Sequence, residues 1–162
     1  MITLITVDDI RENTSISNNI EVDTLQPYIS SAEQMHVYKI LGVALLTEIK
    51  NQISGNTLTD LNMTLLNDYI KPLACYATWL EASSFLNYKT TAKGVVKQHS
   101  DNSESTTLDE FTFYRSAIKD KVSFCSDSLK NYLKLNAASY PLYRPIDKQI
   151  TSYSNGIYLG RH

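Results

Sequence analysis

Glycine is scarce in this 162-residue chain, with five in all, and cysteine (two), histidine (three) and tryptophan (one) are scarcer still. Few glycines leave little room for loops that cradle phosphates. No Gly-x-Gly-x-x-Gly, Gly-Lys-Ser/Thr or Gly-x-Ser-x-Gly pattern occurs. Two cysteines do not make a disulfide framework, which needs more of them in a secreted chain. Cys75 and Cys125 each fall in a helical pattern and read as small buried hydrophobes. No apolar run approaches the roughly 18 residues of a transmembrane helix. The opening Met1 to Asp9 has no basic start and no long apolar stretch, so it reads as neither signal peptide nor anchor, and a reducing cytoplasm is the expected site of synthesis. Net charge is nearly absent as well: Lys+Arg 15 against Asp+Glu 17 gives −2. That balance speaks against a dedicated nucleic-acid binder and against a polybasic membrane-surface protein.

What is present is a hydrophobic content of 43% and a tyrosine surplus, Tyr 11 against Phe 4. A chain of this length is expected to form one domain with a real core. Tyrosine has an apolar body and a polar tip, so the surplus points to wet or interfacial contacts.

Residues 1–21 are short and polar, with at most a helical turn over Val7 to Glu12 and a loop over Asn13 to Asn19. Helical spacing then starts, with Asp23 placed to cap and Leu25, Ile29, Ala32, Met35, Ile40 and Leu41 on one face. Gly42 interrupts it, and Leu45, Leu46, Ile49 and Ile53 continue on a second piece that Gly55 is placed to stop. Thr59 or Asp60 opens the next helix, with Leu61, Leu65, Tyr69, Leu73, Tyr76 and Leu80 in phase. Pro72 inside this run predicts a kink or a fresh start. From Ala74 to Leu86 the pattern is apolar nearly all round, the mark of a central helix, and it makes Trp79 a core or subunit contact.

Lys93, Gly94, Val95 and Val96 read as a short β arm, followed by an exposed polar loop from His99 to Thr107. Thr107 caps a long helix in which Phe111, Tyr114, Ile118, Val122, Cys125, Leu129 and Tyr132 recur at steps of three and four. Beyond residue 136 the helical period ends. Tyr140-Pro141 and Arg144-Pro145 favour extended backbone, and Ile157-Tyr158-Leu159 reads as one short strand. Such a segment cannot build its own core, so it is expected to lie along another surface, on its own domain or a neighbouring subunit.

Chemistry is thin. His36, His99 and His162 make no ligand spacing with each other or with a cysteine. No catalytic, cofactor or metal residue is assigned. Asp109 and Glu110 sit where negative charge offsets a helix dipole. Lys119, Lys121, Lys130 and Lys134 alternate with Asp120 and Asp127 as a solvated face does.

The stretch Val22 to Glu33, with Ala32-Glu33, and then Ile40 to Leu46, with Leu41-Gly42, resembles the opening of head–tail connector proteins of tailed bacteriophages. Leu65-Leu66, Lys71-Pro72-Leu73-Ala74, the arm at Lys93-Gly94-Val95 and the helix end Asn131-Tyr132-Leu133 follow in the same order. The resemblance covers roughly residues 20–136, and the tail after 137 departs from it. It implies a virion protein made in the bacterial cytoplasm and placed at the head–tail junction. It also implies a homo-oligomeric ring, usually of twelve, docked beneath a portal protein and touching further neck or tail proteins. Genome DNA would pass through its channel without sequence-specific binding, and no membrane is involved.

The expected fold is all-α: a small helical bundle with a short β arm and an extended C-terminal tail. It divides into an N-terminal segment 1–21, a helical domain 22–136 with arm and loop at 90–107, and a docking tail 137–162. Subunit or partner contacts are expected at Tyr140, Pro141, Tyr143, Arg144, Pro145, Tyr153, Ile157, Tyr158 and Leu159. Two other functions compete: a helical nucleic-acid-binding regulator, which needs a basic helix face, and a small enzyme built on Cys75 or His36.

Overall fold

A computed structural model describes residues 2–16, 20–86, 88–91, 94–97 and 107–146. The fold is all-α in class. Helix α1 (Val7–Asn13) is longer than the single turn its sequence predicts. Thr6 and Asp9 cap it reciprocally: the Asp9 backbone N–H donates to Thr6 Oγ1 at 3.2 Å, and the Thr6 N–H donates to Asp9 Oδ2 at 2.7 Å. Two orphan donors are thereby satisfied, which lets a short helix hold. Its Val7 and Ile10, with Leu4, Ile5 and Ile16, are buried in the same core as the bundle. Lys71 Nζ ties Asp9 across to the central helix at 2.9 Å.

Helix α2 (Val22–Ala32), a π-turn (Glu33–Val37) and α3 (Tyr38–Leu41) form one continuous run. The cap is Glu21, and Asp23 sits in the first turn instead. Gly42 then breaks the run with φ +77°, and α4 (Val43–Gly55) departs from it. Gly55 stays helical. Asn56, one residue later, takes the left-handed conformation at φ 51° that ends α4.

Thr59 caps α5 (Asp60–Thr64) by accepting the Asn62 N–H at 3.2 Å. A second π-turn (Leu65–Ile70) leads directly into α6 (Lys71–Leu86). Pro72 therefore sits in the first turn of α6, just after a widened ladder in which the Lys71 N–H reaches back to the Leu66 carbonyl. Widening of this kind accommodates a proline inside a continuing helix.

Helix α6 packs against α1, α2, both π-turns and the last helix, so it is the centre of the bundle. Leu73, Ala74, Cys75, Ala77, Leu80 and Ala82 are buried along it. Its buried hydroxyls satisfy themselves locally: Thr78 donates to the Ala74 carbonyl at 2.7 Å and Ser83 to the Leu80 carbonyl at 2.8 Å.

After α6, β1 (Tyr88–Thr91) and β2 (Gly94–Lys97) pair antiparallel, with Tyr88 opposite Lys97 and Thr91 opposite Gly94. Helix α7 (Leu108–Leu135) has 28 residues and a Thr107/Glu110 capping box. It is about 42 Å long at 1.5 Å per residue. A short 3-10 turn (Ala137–Ser139) follows.

The chain then turns back over its own bundle. The Arg144 N–H donates to the Leu41 carbonyl at 3.4 Å, and the Ile146 N–H donates to the Lys39 carbonyl at 3.1 Å. These carbonyls lie in the last turn of α3, where a helix has no partners of its own. Gly42 permits the crossing, because a Cβ there would lie 1.9 Å from the Arg144 carbonyl oxygen.

Candidate interaction surface

The titratable groups with chemical potential are mostly engaged in holding elements together. Glu33, buried in the first π-turn, accepts from the Leu4 N–H and pairs with Lys50 Nζ at 2.6 Å. A buried carboxylate with both oxygens occupied is a fastening for the N-terminal segment. His36 Nε2 lies 3.2 Å from Glu81 Oε1, joining the same π-turn to α6. Burial pushes the Cys75 thiol up to about 12, so it stays protonated at neutral pH and is a poor nucleophile. Burial raises Cys125 as well. Among the described residues, no group of three or more His, Cys, Asp and Glu is placed to hold a metal ion. No helix among them is long and apolar enough to cross a membrane. His99 and His162 lie outside the described residues.

The expected contact residues are split by the structure. Tyr140, expected at a subunit contact, points into the chain's own core. Its hydroxyl donates to the Leu61 carbonyl at 3.0 Å and lies 3.2 Å from the Tyr132 hydroxyl. Tyr132 in turn stacks on Tyr69 with centroids 4.1 Å apart. Burial, and then the Tyr132 hydroxyl, push Tyr140 far above the usual phenol range. Tyr143 and Pro145 are half-buried, while Pro141 and Arg144 are exposed. The Arg144 guanidinium donates to the Tyr143 carbonyl at 2.8 Å. Gly94, Val95 and Val96 lie in β2. Lys93, Tyr153, Ile157, Tyr158 and Leu159 lie outside the described residues.

The surface that stands out lies on the outer side of α7. On α7 the inner face buries Ile118, Val122, Leu129 and Leu133. The opposite side carries Phe113, Phe124 and Leu135, exposed at 80%, 71% and 86%. These three are eleven residues apart, which is three helical turns, so they form one straight row spaced by about 16 Å. Asp120, Lys121 and Asp127 are exposed along the same helix, and Lys130 Nζ lies 3.9 Å from Asp127. The signal was available for two of them: Phe113 and Phe124 fit no step of the inner period, yet they are large and apolar. Leu135, a step of three after Tyr132, reads as carrying the inner period on toward Asn136 but is exposed instead.

A second aromatic edge lies where α6 meets the start of α7. Trp79 Nε1 donates to the Tyr114 hydroxyl at 2.8 Å, with the rings edge-to-face at 5.8 Å. Tyr76 stacks beside Trp79 at 6.2 Å. Phe85, 57% exposed, stacks on Tyr28 at 5.7 Å. Trp79 thus joins two helices and also borders open surface.

Comparison with known proteins adds one finding. Residues 37–152 match a protein family described as a family of unknown function, DUF6712. No curated protein and no solved structure matches.

Proposed function

We propose, taking as premise that the chain belongs to the family of unknown function DUF6712, that it is the subunit of a head–tail connector ring of a tailed bacteriophage. The observation that carries this reading is the outer row of α7. Three large apolar side chains stand bare on a helix whose other face buries Ile118, Val122, Leu129 and Leu133. A ring subunit needs such a surface, because a heterologous head-to-tail contact closes into a ring when its rotation allows. The ordered likeness of residues 20–136 to connector subunits supplies the particular assembly.

In this reading β1 and β2 are an arm toward a neighbouring protein, and the residues beyond Ile146 are a docking tail. The partners are further copies of the chain, the portal protein above, and neck or tail proteins below. The place is the virion's head–tail junction. The interleaved charges of α7 and the chain's net −2 suit a channel wall that lets DNA pass, since dense phosphate contacts would hold it back.

The test is to mix the purified chain with the portal protein of the same phage and examine the product by negative-stain microscopy and light scattering. A ring seated on the portal is the expected result. A chain that never associates with portal contradicts the reading. Salt-dependent retardation of DNA in a gel, without portal binding, would favour a nucleic-acid-binding regulator instead.

A further inference from the structure

We propose that the outer row of α7, Phe113, Phe124 and Leu135, is the seat for residues 147–162 of a neighbouring copy of this chain. The inference rests on the ring reading above and names the contact that would join one subunit to the next.

Four observations lead to it. First, the row is straight and long. It spans 22 residues of α7, about 33 Å at the helical rise, and its three side chains are exposed. Second, sixteen residues follow Ile146, and they include Ile150, Tyr153, Ile157, Tyr158 and Leu159. Extended, that segment reaches about 50 Å, enough to run the length of the row. Third, the charges are mixed on both sides: Asp120, Lys121, Asp127 and Lys134 are exposed in or beside the row, and the segment carries Lys148, Arg161 and Asp147. Fourth, the direction of the last described residues favours another copy over the same one. Arg144 bonds to Leu41 and Ile146 to Lys39, so the chain travels backward along α3 toward the first π-turn. Helix α3 itself packs against α7, so the segment sets out from the packed side of the bundle and not from the bare side of α7.

An extended aromatic segment laid on an apolar helix face buries rings while its backbone stays open to water. One tail per seat, passed from copy to copy, is a heterologous contact of the kind that closes a ring.

The experiment uses the full chain. Phe124→p-benzoylphenylalanine places a photo-crosslinker in the row, and Phe113→p-benzoylphenylalanine serves as a second site. Equal amounts of ¹⁵N-labelled and unlabelled protein are mixed and irradiated, and the crosslinked peptides are read by mass spectrometry. Peptides from 147–162 joined to α7 with mixed labels are expected. Leu135→Ser in the same chain should lower their yield about tenfold, the effect of losing one buried Leu from a contact. Crosslinks to 147–162 within one copy only, crosslinks to any other segment, or none to the tail each overturn the proposal. Particle size from the same sample separates the two readings. Rings without tail-to-row crosslinks remove this inference and leave the connector reading. Mixed-label crosslinks in a species of two copies, with no ring on portal, do the reverse.

Discussion

Helices α6 and α7 lie against each other and solve opposite problems. Helix α6 is apolar nearly all round, and other elements cover it on every side except near Trp79 and Phe85. Helix α7 buries one face and leaves Phe113, Phe124 and Leu135 outside. Apolar area on α6 is therefore used up in folding one chain. Apolar area on the outside of α7 contributes nothing to that fold and is free for a second molecule. The two helices separate residues that hold the fold from residues that make contacts.

The sharpest way to break this contrast is to cut into α6. Leu73→Ala removes a fully buried side chain from the centre of the bundle and is expected to cost about 2–5 kcal/mol, read from urea unfolding followed by circular dichroism. A loss below about 1 kcal/mol would mean that α6 is not the central element. Gly42→Ala comes next. It meets both the +77° backbone and the Arg144 carbonyl, and a loss of about 1–3 kcal/mol is expected, together with faster proteolysis after residue 136. Unchanged stability and protection would show that the C-terminal crossing does not lie on Gly42.

The N-terminal fastening gives a smaller and pH-dependent effect. Burial pushes the Asp9 carboxyl up, yet the Thr6 backbone N–H, the Lys71 ammonium and the Thr6 hydroxyl together hold it below its ordinary 3.8. A carboxyl held lower in the folded than in the unfolded state adds stability that is full above 3.8. That stability is lost as pH falls through the folded value. The urea midpoint should therefore drop as the pH falls below about 4, and Asp9→Ala should flatten that drop while costing about 1 kcal/mol at neutral pH. An equally steep acid loss in the variant would remove Asp9 from the explanation.

The smallest effect belongs to the outer row. Phe124→Ser should change unfolding free energy by no more than about 0.5 kcal/mol, as surface substitutions do. A loss as large as that of Leu73→Ala would erase the difference between the two helices.

Much of this contrast is legible in the sequence, for physical reasons that can be named. Periodic apolar steps reveal α4, α6 and the inner face of α7, and Thr59 and Thr107 mark the starts of α5 and α7 because short hydroxyl side chains cap helices. Helix α1 is hidden because its stability comes from the Thr6–Asp9 pair and from Lys71, 62 residues beyond Asp9. The π-turns at Glu33–Val37 and Leu65–Ile70 leave no signature, since the same residues suit an ordinary helical turn. Tyr140 reads as an interface residue because its partners, Leu61 and Tyr132, are brought to it only by folding. The outer row is missed because the strong inner period of α7 claims the helix first. Eleven-residue spacing shows only when the residues left over are set side by side.

The claim that α7 faces two ways is tested most directly by sedimentation velocity on the full chain beside the triple variant Phe113→Ser, Phe124→Ser, Leu135→Ser. The expected result is a native chain that assembles beyond the monomer, and a variant that stays monomeric with unchanged helical content and melting temperature. A variant that assembles as the native chain does, or one that unfolds, would contradict it.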